Sequence, residues 1–244
     1  MSKLSEALQR KRRGEGARAM GFGARASEKD RALLLGATGA SAGEALEAGA
    51  DFVAVAADDA DAAVAALDGL DGLAGVQVAS LATEGIEALE EAGADFVIAD
   101  PETAAAGIVD SELGLVLEVD EAWEDAPLRA LAPLSLDAVL VRAPVATFTV
   151  ARRISLSRVG ALCGAPLIVT VTPGISSADL GALRESGAGG VVAQEGMTAD
   201  ELAGLIEQLE AVPPRSARRR SEGGFAIVPS AGSGGDGEEI EDDD

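Results

Sequence analysis

The stretch EEAGADFVIAD, residues 90–100, identifies the repeating unit of this chain, because two close copies of it occur elsewhere in the sequence. The copies are LEAGADFVAVA at 46–56 and RESGAGGVVAQ at 184–194. Each copy begins with the last residues of a run that has helical spacing. A glycine typical of a helix C-terminus follows, and the copy finishes with a short apolar run. An apolar run without alternation is typical of a parallel strand that is buried on both faces. The repeated unit is therefore a helix, a tight turn and a buried strand.

Extending this unit along the chain predicts eight buried strands separated by helical runs. The strands are expected at 32–37, 52–57, 74–80, 95–99, 114–119, 137–142, 166–172 and 189–194. Eight such strands alternating with eight helices predict an α/β protein with a single (β/α)8 barrel, the TIM barrel. An open doubly wound sheet is the alternative, but it usually has fewer strands, and no G-x-G-x-x-G fingerprint follows the first strand.

The barrel is expected to span residues 32–213, and a basic extension precedes it at 1–31. The sequence KLSEALQRKRR in this extension places Leu4 and Leu8 on one face of an amphipathic helix. This helix is expected to pack across the bottom of the barrel. Docking to a partner or to an anionic surface is the alternative.

Residues 214–244 form a third region, which contains the basic sequence RSARRR and ends in an acidic run. Its Gly, Ser and acidic residues predict a disordered tail. The apolar sequence FAIVPS at 225–230 is either a short binding motif or a strap that returns to the barrel. A protein partner for either tail is therefore a hypothesis.

Composition limits the classes of function. The net charge is −23, and the basic residues concentrate in the two tails, which argues against nucleic-acid binding by the acidic barrel. The single cysteine, Cys163, excludes an internal disulfide, and no continuous apolar stretch is long enough to span a membrane. We expect a cytoplasmic protein that does not enter a membrane. Because aromatic residues make up only 2%, we expect a core of Ala, Val, Leu and Ile.

Aligning the repeats locates a candidate site. With the Gly-Ala pairs in register, equivalent positions hold Ala56, Asp100 and Gln194, and the sixth strand places Arg142 opposite Asp100. These positions are at the carboxyl ends of alternate strands, where the active sites of such barrels form. The odd-numbered strands contribute further polar residues of one parity at this end: Glu118, Asp120, Thr170 and Thr172.

The residue types that are absent restrict the chemistry of this site. The chain has no His and no Tyr, and its lysines are confined to positions 3, 11 and 29, so the barrel has no Schiff-base lysine. Asp100 and Glu118 are the candidate catalytic acid–base residues. Asp100, Glu118 and Asp120 are candidate ligands for Mg²⁺. A structural ion pair between Asp100 and Arg142 that closes the mouth of the barrel is the alternative.

The sequence APLIVTVTPGISSADLGALRESGAGGVVAQEG, 165–196, resembles the last two βα units of phosphate-binding TIM barrels. That group includes indole-3-glycerol-phosphate synthase and barrels of the histidine and thiamine pathways. The matching residues are Gly174, Ile175, Ser176, Asp179 and Leu180, while Pro173 stands where the family has a glycine. The family also has a glycine directly after the eighth strand, where this chain has Gln194 and Glu195. The resemblance implies that the Gly174–Ser177 turn donates backbone N–H groups to a phosphate.

Together these features predict a small anionic, phosphorylated metabolite at the mouth of the barrel. Arg142 is expected to be its main charge partner, with Thr170, Thr172, Gly174, Ser176, Ser177 and Gln194 as further ligand-binding residues. A lyase or isomerase with Mg²⁺ or a flavin is one hypothesis. A degenerate barrel that binds a ligand without catalysis, and a scaffold or assembly subunit that acts through its tails, are the alternatives. The sequence leaves catalysis and the oligomeric state open.

Overall fold

The structure, a computed structural model, describes residues 2–13, 31–39, 42–78, 83–103 and 111–213. Its sheet is a closed barrel of eight parallel strands in chain order, in which β8 pairs with β1. The strands are Leu34–Thr38 (β1), Phe52–Ala57 (β2), Ala74–Val78 (β3), Phe96–Ala99 (β4), Gly114–Glu118 (β5), Ala138–Val145 (β6), Leu167–Val171 (β7) and Ala188–Ala193 (β8). The predicted TIM barrel is confirmed, and closure of the sheet excludes the doubly wound alternative.

One helix precedes the first strand, and the others cover the outside of the barrel. They are Lys3–Arg13 (α1), Ala42–Glu47 (α2), Ala60–Leu67 (α3), Thr83–Glu91 (α4), Asp125–Ala130 (α5), Val150–Cys163 (α6), Ser177–Glu185 (α7) and Ala199–Glu210 (α8). A short 3-10 helix, Ala132–Leu134, follows α5. The helix expected between β4 and β5 falls largely on residues 104–110, which lie outside the described residues. In the part of the chain that is described, no helix is long and apolar enough to cross a membrane.

The repeated Gly-Ala of the sequence has a direct conformational cause. Gly49, Gly93 and Gly187 have φ values of 103°, 85° and 99°, in the left-handed region that residues with a Cβ atom rarely adopt. Each glycine ends a helix so that the chain can turn at once into the next strand. The repeats therefore mark the places where the backbone needs a glycine.

Two phenylalanines fill the lower part of the barrel interior. Phe52 and Phe96 are both buried, and their rings meet edge to face with centroids 6.0 Å apart. Gly36 and Gly75 make room for these rings, because a Cβ atom on either glycine would lie within 2.5 Å of the neighbouring ring. The expectation of a core made only of Ala, Val, Leu and Ile is therefore wrong at the barrel axis.

Helix α1 closes the amino-terminal end of the barrel. Leu4 and Leu8 are 0% exposed and belong to the same interior cluster as Phe52 and Phe96. At the edge of this contact Lys3 Nζ lies 2.7 Å from Asp95 Oδ1, next to the start of β4. The expected packing of this helix across the bottom of the barrel is confirmed. The predictions for residues 14–30 and for the tail at 214–244 lie outside the described residues.

Candidate functional site

The four even-numbered strands place equivalent residues of the repeat in the barrel interior. Ala54, Ile98, Leu140 and Val192 all belong to the interior cluster. Side chains that are two residues apart in a strand point to the same side, which makes Ala56 in β2 and Arg142 in β6 the next inward positions. Asp100 and Gln194, the equivalent residues of the other two strands, are the first residues after β4 and β8.

The ion pair between Asp100 and Arg142, the alternative considered from the sequence, does not form. Asp100 Oδ1 instead accepts hydrogen bonds from the backbone N–H of Glu102 at 2.8 Å and from Thr103 Oγ1 at 3.2 Å. The physical reason is distance across the sheet: β5 lies between β4 and β6, and neighbouring strands are about 4.8 Å apart. The Asp100 carboxylate therefore stabilises its own turn.

Arg142 pairs with Glu118, which lies on the adjacent strand β5. Arg142 Nε donates a hydrogen bond to Glu118 Oε1, and Arg142 Nη2 lies close to the same oxygen. Gln77 Nε2, from β3, donates to this oxygen as well, at 3.1 Å. The Arg142 side chain is 36% exposed and that of Glu118 21%, so the ion pair is at the mouth of the barrel and within reach of solvent.

A bulge in β6 shapes the backbone at Arg142. Val141 pairs with Val169 and Val145 with Val171, so three residues of β6 lie opposite Thr170 alone. Pro144 is one of the three, and a proline is tolerated at a bulge because no ladder hydrogen bond is needed there. Thr170 is 7% exposed, and its Oγ1 has no hydrogen-bond partner. Bulges often occur next to active sites, where they redirect side chains.

Thr172, the other predicted threonine, has a structural contact beyond this bulge. Its backbone N–H donates to Val145 O at 3.2 Å, and its Oγ1 donates to the same carbonyl at 3.3 Å. Both donors of Thr172 therefore hold the end of β6 against β7. The prediction that Thr172 binds a ligand stays a prediction.

A cavity of about 340 Å³ opens at the mouth above β4, β5 and β6. Its lining combines the ion pair with an apolar wall and further carboxylates: Pro101, Glu118, Val119, Asp120, Glu121, Trp123, Val141, Arg142 and Ala143. The volume is within the usual range for small-molecule sites. This cavity is the candidate functional site.

Two arginines of α6 hold the β5–α5 loop that forms one wall of the cavity. Arg158 donates to Asp125 Oδ1 at 2.8 Å and to the carbonyls of Glu121 and Trp123 at 2.7 and 2.9 Å. Arg152 pairs with Glu121 at 2.8 Å and donates to Ala143 O at 2.7 Å. The positions of Glu121 and Trp123 in the cavity wall therefore depend on α6.

The pKa of Asp125 is lowered, chiefly by its hydrogen bond to Arg158 and to a smaller extent by the charge of Arg129. Because the pKa is lower in the folded state, ionised Asp125 favours folding above its ordinary pKa, and this contribution is lost as the pH falls through the lowered value. We expect Arg158→Ala to raise the pKa of Asp125 towards its ordinary value, and Arg129→Ala to raise it less. Titration of the Asp125 carboxyl carbon by NMR measures both. A larger change in the Arg129 variant would contradict the assignment.

The three carboxylates predicted to bind Mg²⁺ do not converge. Asp100 holds its own turn, Glu118 is paired with Arg142, and Asp120 Oδ1 accepts a hydrogen bond from the N–H of Ala122 at 2.8 Å. Within the described ranges no group of three or more His, Cys, Asp or Glu residues has a geometry that could hold a metal ion. As they are placed, these three carboxylates do not form a metal site among the described residues, and the binding of Mg²⁺ to them stays a prediction.

The Gly174–Ser177 turn lines a separate cavity of about 360 Å³, between the β7–α7 loop and α8. Two of the N–H groups that could bind a phosphate are already engaged by side chains. Ser177 N–H donates to Gln208 Oε1 at 2.9 Å, and Asp179 N–H donates to Ser176 Oγ at 3.1 Å. The carboxylate of Glu201 also lines this cavity. The structure does not bring this turn together with Arg142, because the two cavities share no lining residue.

Four residues of the mouth were not found from the sequence. Gln77 lies on β3, an odd-numbered strand that no repeat copy places in register. Arg152 belongs to the first turn of α6 rather than to the end of a strand. Glu121 and Trp123 lie in the segment between β5 and α5, which has no counterpart in the repeats. Trp123 was the one sequence signal for this segment, because it is the single tryptophan of a chain with only 2% aromatic residues.

Comparisons with known proteins support the class of fold. No protein-family model matches this chain, and no curated protein does. Among solved structures, tryptophan synthase from M. tuberculosis superposes with a TM-score of 0.60 at 18% identity, over 86% of this chain and 98% of that chain. A mutant tryptophan synthase alpha-subunit from Pyrococcus furiosus gives a TM-score of 0.57 at 13% identity, over 73% of this chain and 98% of that chain. At these identities the likeness shows a shared TIM-barrel fold.

Proposed function

We propose that the barrel binds a small anionic metabolite in the cavity at its mouth and that Arg142 holds the anion. The observation that carries this proposal is a partly exposed arginine side chain in the lining of a cavity at the carboxyl ends of the strands. Sites of (β/α)8 barrels form at this end. The bulge in β6 and the unpartnered hydroxyl of Thr170 support a role for this sector beyond packing.

Phosphorylated metabolites are one class of anion to test. The resemblance of residues 165–196 to phosphate-binding barrels favours them, although the Gly174–Ser177 turn that carries this resemblance lines the separate cavity beside α8. The opposing observation is the number of carboxylates in the same cavity, which repel a doubly charged group.

Glu118 is our candidate for proton transfer in a lyase- or isomerase-type reaction. Its Oε1 accepts from Arg142 and Gln77, and a bound anion would compete with Glu118 for Arg142. The Glu118 carboxylate would then lie beside the ligand, where it can accept a proton from a group next to the anion. Asp100 is a weaker candidate, because both of its contacts stabilise its own turn.

A barrel that binds its ligand without catalysis is the alternative, and the closed ion pair between Glu118 and Arg142 favours it. The two hypotheses differ in one measurable property. A proton-transferring site should exchange a carbon-bound hydrogen of its bound ligand for deuterium in D2O, and Glu118→Gln should abolish this exchange. A ligand that binds without any exchange supports the alternative.

We expect Arg142→Gln to weaken the binding of an anionic ligand by about 10- to 100-fold, the loss of a charged hydrogen bond of roughly 1.5–3 kcal/mol. Glu118→Gln should instead tighten binding several-fold, because the competing carboxylate is gone. Titration calorimetry with phosphate esters and carboxylates measures both effects.

Arg10→Ala is the matched control, since it removes one exposed arginine at the opposite end of the barrel. It should leave the affinity unchanged. Equal affinities of the wild type and the Arg142 variant for every anion tested would refute the proposal.

A further inference from the structure

The charges that line the cavity at the mouth do not suit a ligand that is only anionic. Three carboxylates, those of Glu118, Asp120 and Glu121, share the lining with the single guanidinium of Arg142. Arg152 pairs with Glu121 from outside the lining and offsets one of these charges. An anion at Arg142 would therefore lie in a surplus of negative charge, unless the ligand also carried a positive group.

Buried polar atoms without a hydrogen-bond partner occur at and beside this cavity. Among the described residues they include Glu121 Oε2, Arg152 Nε and Thr170 Oγ1. Glu121 lines the cavity, Arg152 pairs with Glu121 from outside the lining, and Thr170 lies opposite the bulge that carries Arg142. Nη2 of Arg142 is buried as well, but it lies against Glu118 and becomes available to a ligand only when that ion pair opens. Buried polar groups normally have partners, so these atoms indicate a site that a polar ligand or its bound water completes.

The remaining wall of the cavity is apolar. Val119, Val141 and Trp123 line it, with Pro101 at the edge. A ligand that uses both kinds of charge can therefore also place a hydrocarbon group against this wall. The indole of Trp123 adds a surface that favours a cation as well as an alkyl group.

We propose that the ligand is a zwitterion of the amino-acid type with an apolar side chain. Its carboxylate binds Arg142, whose planar fork matches a carboxylate. Its ammonium group binds the carboxylates of Asp120 and Glu118, and its side chain packs on Val119 and Trp123. This assignment rests on the proposed function above and narrows the ligand class for the same cavity.

The test compares four probes that share one branched hydrocarbon group and differ in the charged groups attached to it. They are L-leucine, 4-methylpentanoate, 3-methylbutylamine and 3-methylbutyl phosphate, titrated calorimetrically into the full chain. We expect leucine to bind at least about tenfold more tightly than the carboxylate or the amine, which corresponds to roughly 1.4 kcal/mol. The phosphate ester should bind more weakly than leucine.

Asp120→Asn tests the ammonium contact. Asparagine keeps the side-chain oxygen that accepts from the N–H of Ala122, so the loop retains its turn. In this variant leucine should fall to about the affinity of 4-methylpentanoate, while 4-methylpentanoate itself should bind no more weakly than to the wild type. Asp58→Asn is the matched control, because Asp58 is an exposed acidic residue that follows β2 and does not line the cavity.

The outcomes separate the two proposals. If 4-methylpentanoate or the phosphate ester binds as tightly as leucine and this binding needs Arg142, the zwitterion is wrong and the anion site stands. If leucine binds with unchanged affinity to both the Arg142→Gln and the Asp120→Asn variants, the zwitterion assignment is wrong at this cavity. If no probe and no other anion binds in an Arg142-dependent way, both proposals fail.

Discussion

Replacing Leu4 and Leu8 together by alanine is expected to remove most of the stability of the barrel. Both side chains are 0% exposed and belong to the interior cluster that also contains Leu34 and Phe52. A buried Leu→Ala substitution costs about 2–5 kcal/mol. Two of them approach the entire free energy of unfolding of a typical domain, roughly 5–15 kcal/mol. Chemical denaturation followed by circular dichroism measures the loss.

The control for this experiment lies on the same helix. Arg10 is exposed, and Arg10→Ala keeps a good helix former at that position, so its effect on stability should be within about 0.5 kcal/mol. If the double leucine variant unfolded at the same denaturant concentration as the wild type, α1 would not be part of the barrel core. The docking role considered for this helix would then become the better account.

Gly36→Ala is expected to destabilise the protein by about 1–3 kcal/mol, because it overfills the lower interior of the barrel. The new Cβ atom would lie 2.2 Å from Cζ of Phe52, whose ring is buried and also meets Phe96. The ring cannot move aside without displacing this second ring. Thermal and denaturant unfolding of the purified variant measures the effect.

The same substitution elsewhere gives the opposite expectation. A Cβ atom on Gly204, inside α8, has nothing within 4 Å, so Gly204→Ala should be neutral or stabilise by up to about 1 kcal/mol.

In a double-mutant cycle, Phe52→Leu should recover part of the loss in the Gly36→Ala variant, because the two residues compete for one space. Strictly additive effects of the two substitutions would show that the predicted clash does not occur.

The fold could be predicted from the sequence because its key signals are local. A glycine at 49, 93 or 187 is required by the left-handed backbone at each helix end, and a buried strand follows each time. These requirements recur in three of the units and so appear as repeats. The packing of Phe52 and Phe96 could not be predicted in this way. It depends on Gly36 and Gly75, each of which lies against one of these rings only in the folded barrel.

The level of the candidate site was predictable, but the partners within it were not. The repeat register places Asp100 and Arg142 at one height, since height follows from counting residues along each strand. The partner of Arg142 depends instead on which strand lies beside β6, and that strand carries Glu118. Side-chain torsions and the β6 bulge leave no periodic signal in the sequence, so the Glu118–Arg142 pair emerged only from the structure.

The position of α1 has a consequence for the order in which the chain can fold during synthesis. The helix precedes all eight strands and yet packs against β8 as well as β1 and β5. The ribosome therefore releases its apolar face long before the last strand emerges. Until then Leu4 and Leu8 lack their final partners and remain available to other apolar surfaces, chaperones included. The contacts of α1 with β8 can therefore form only after β8 has been made, although α1 is synthesised before every strand of the barrel.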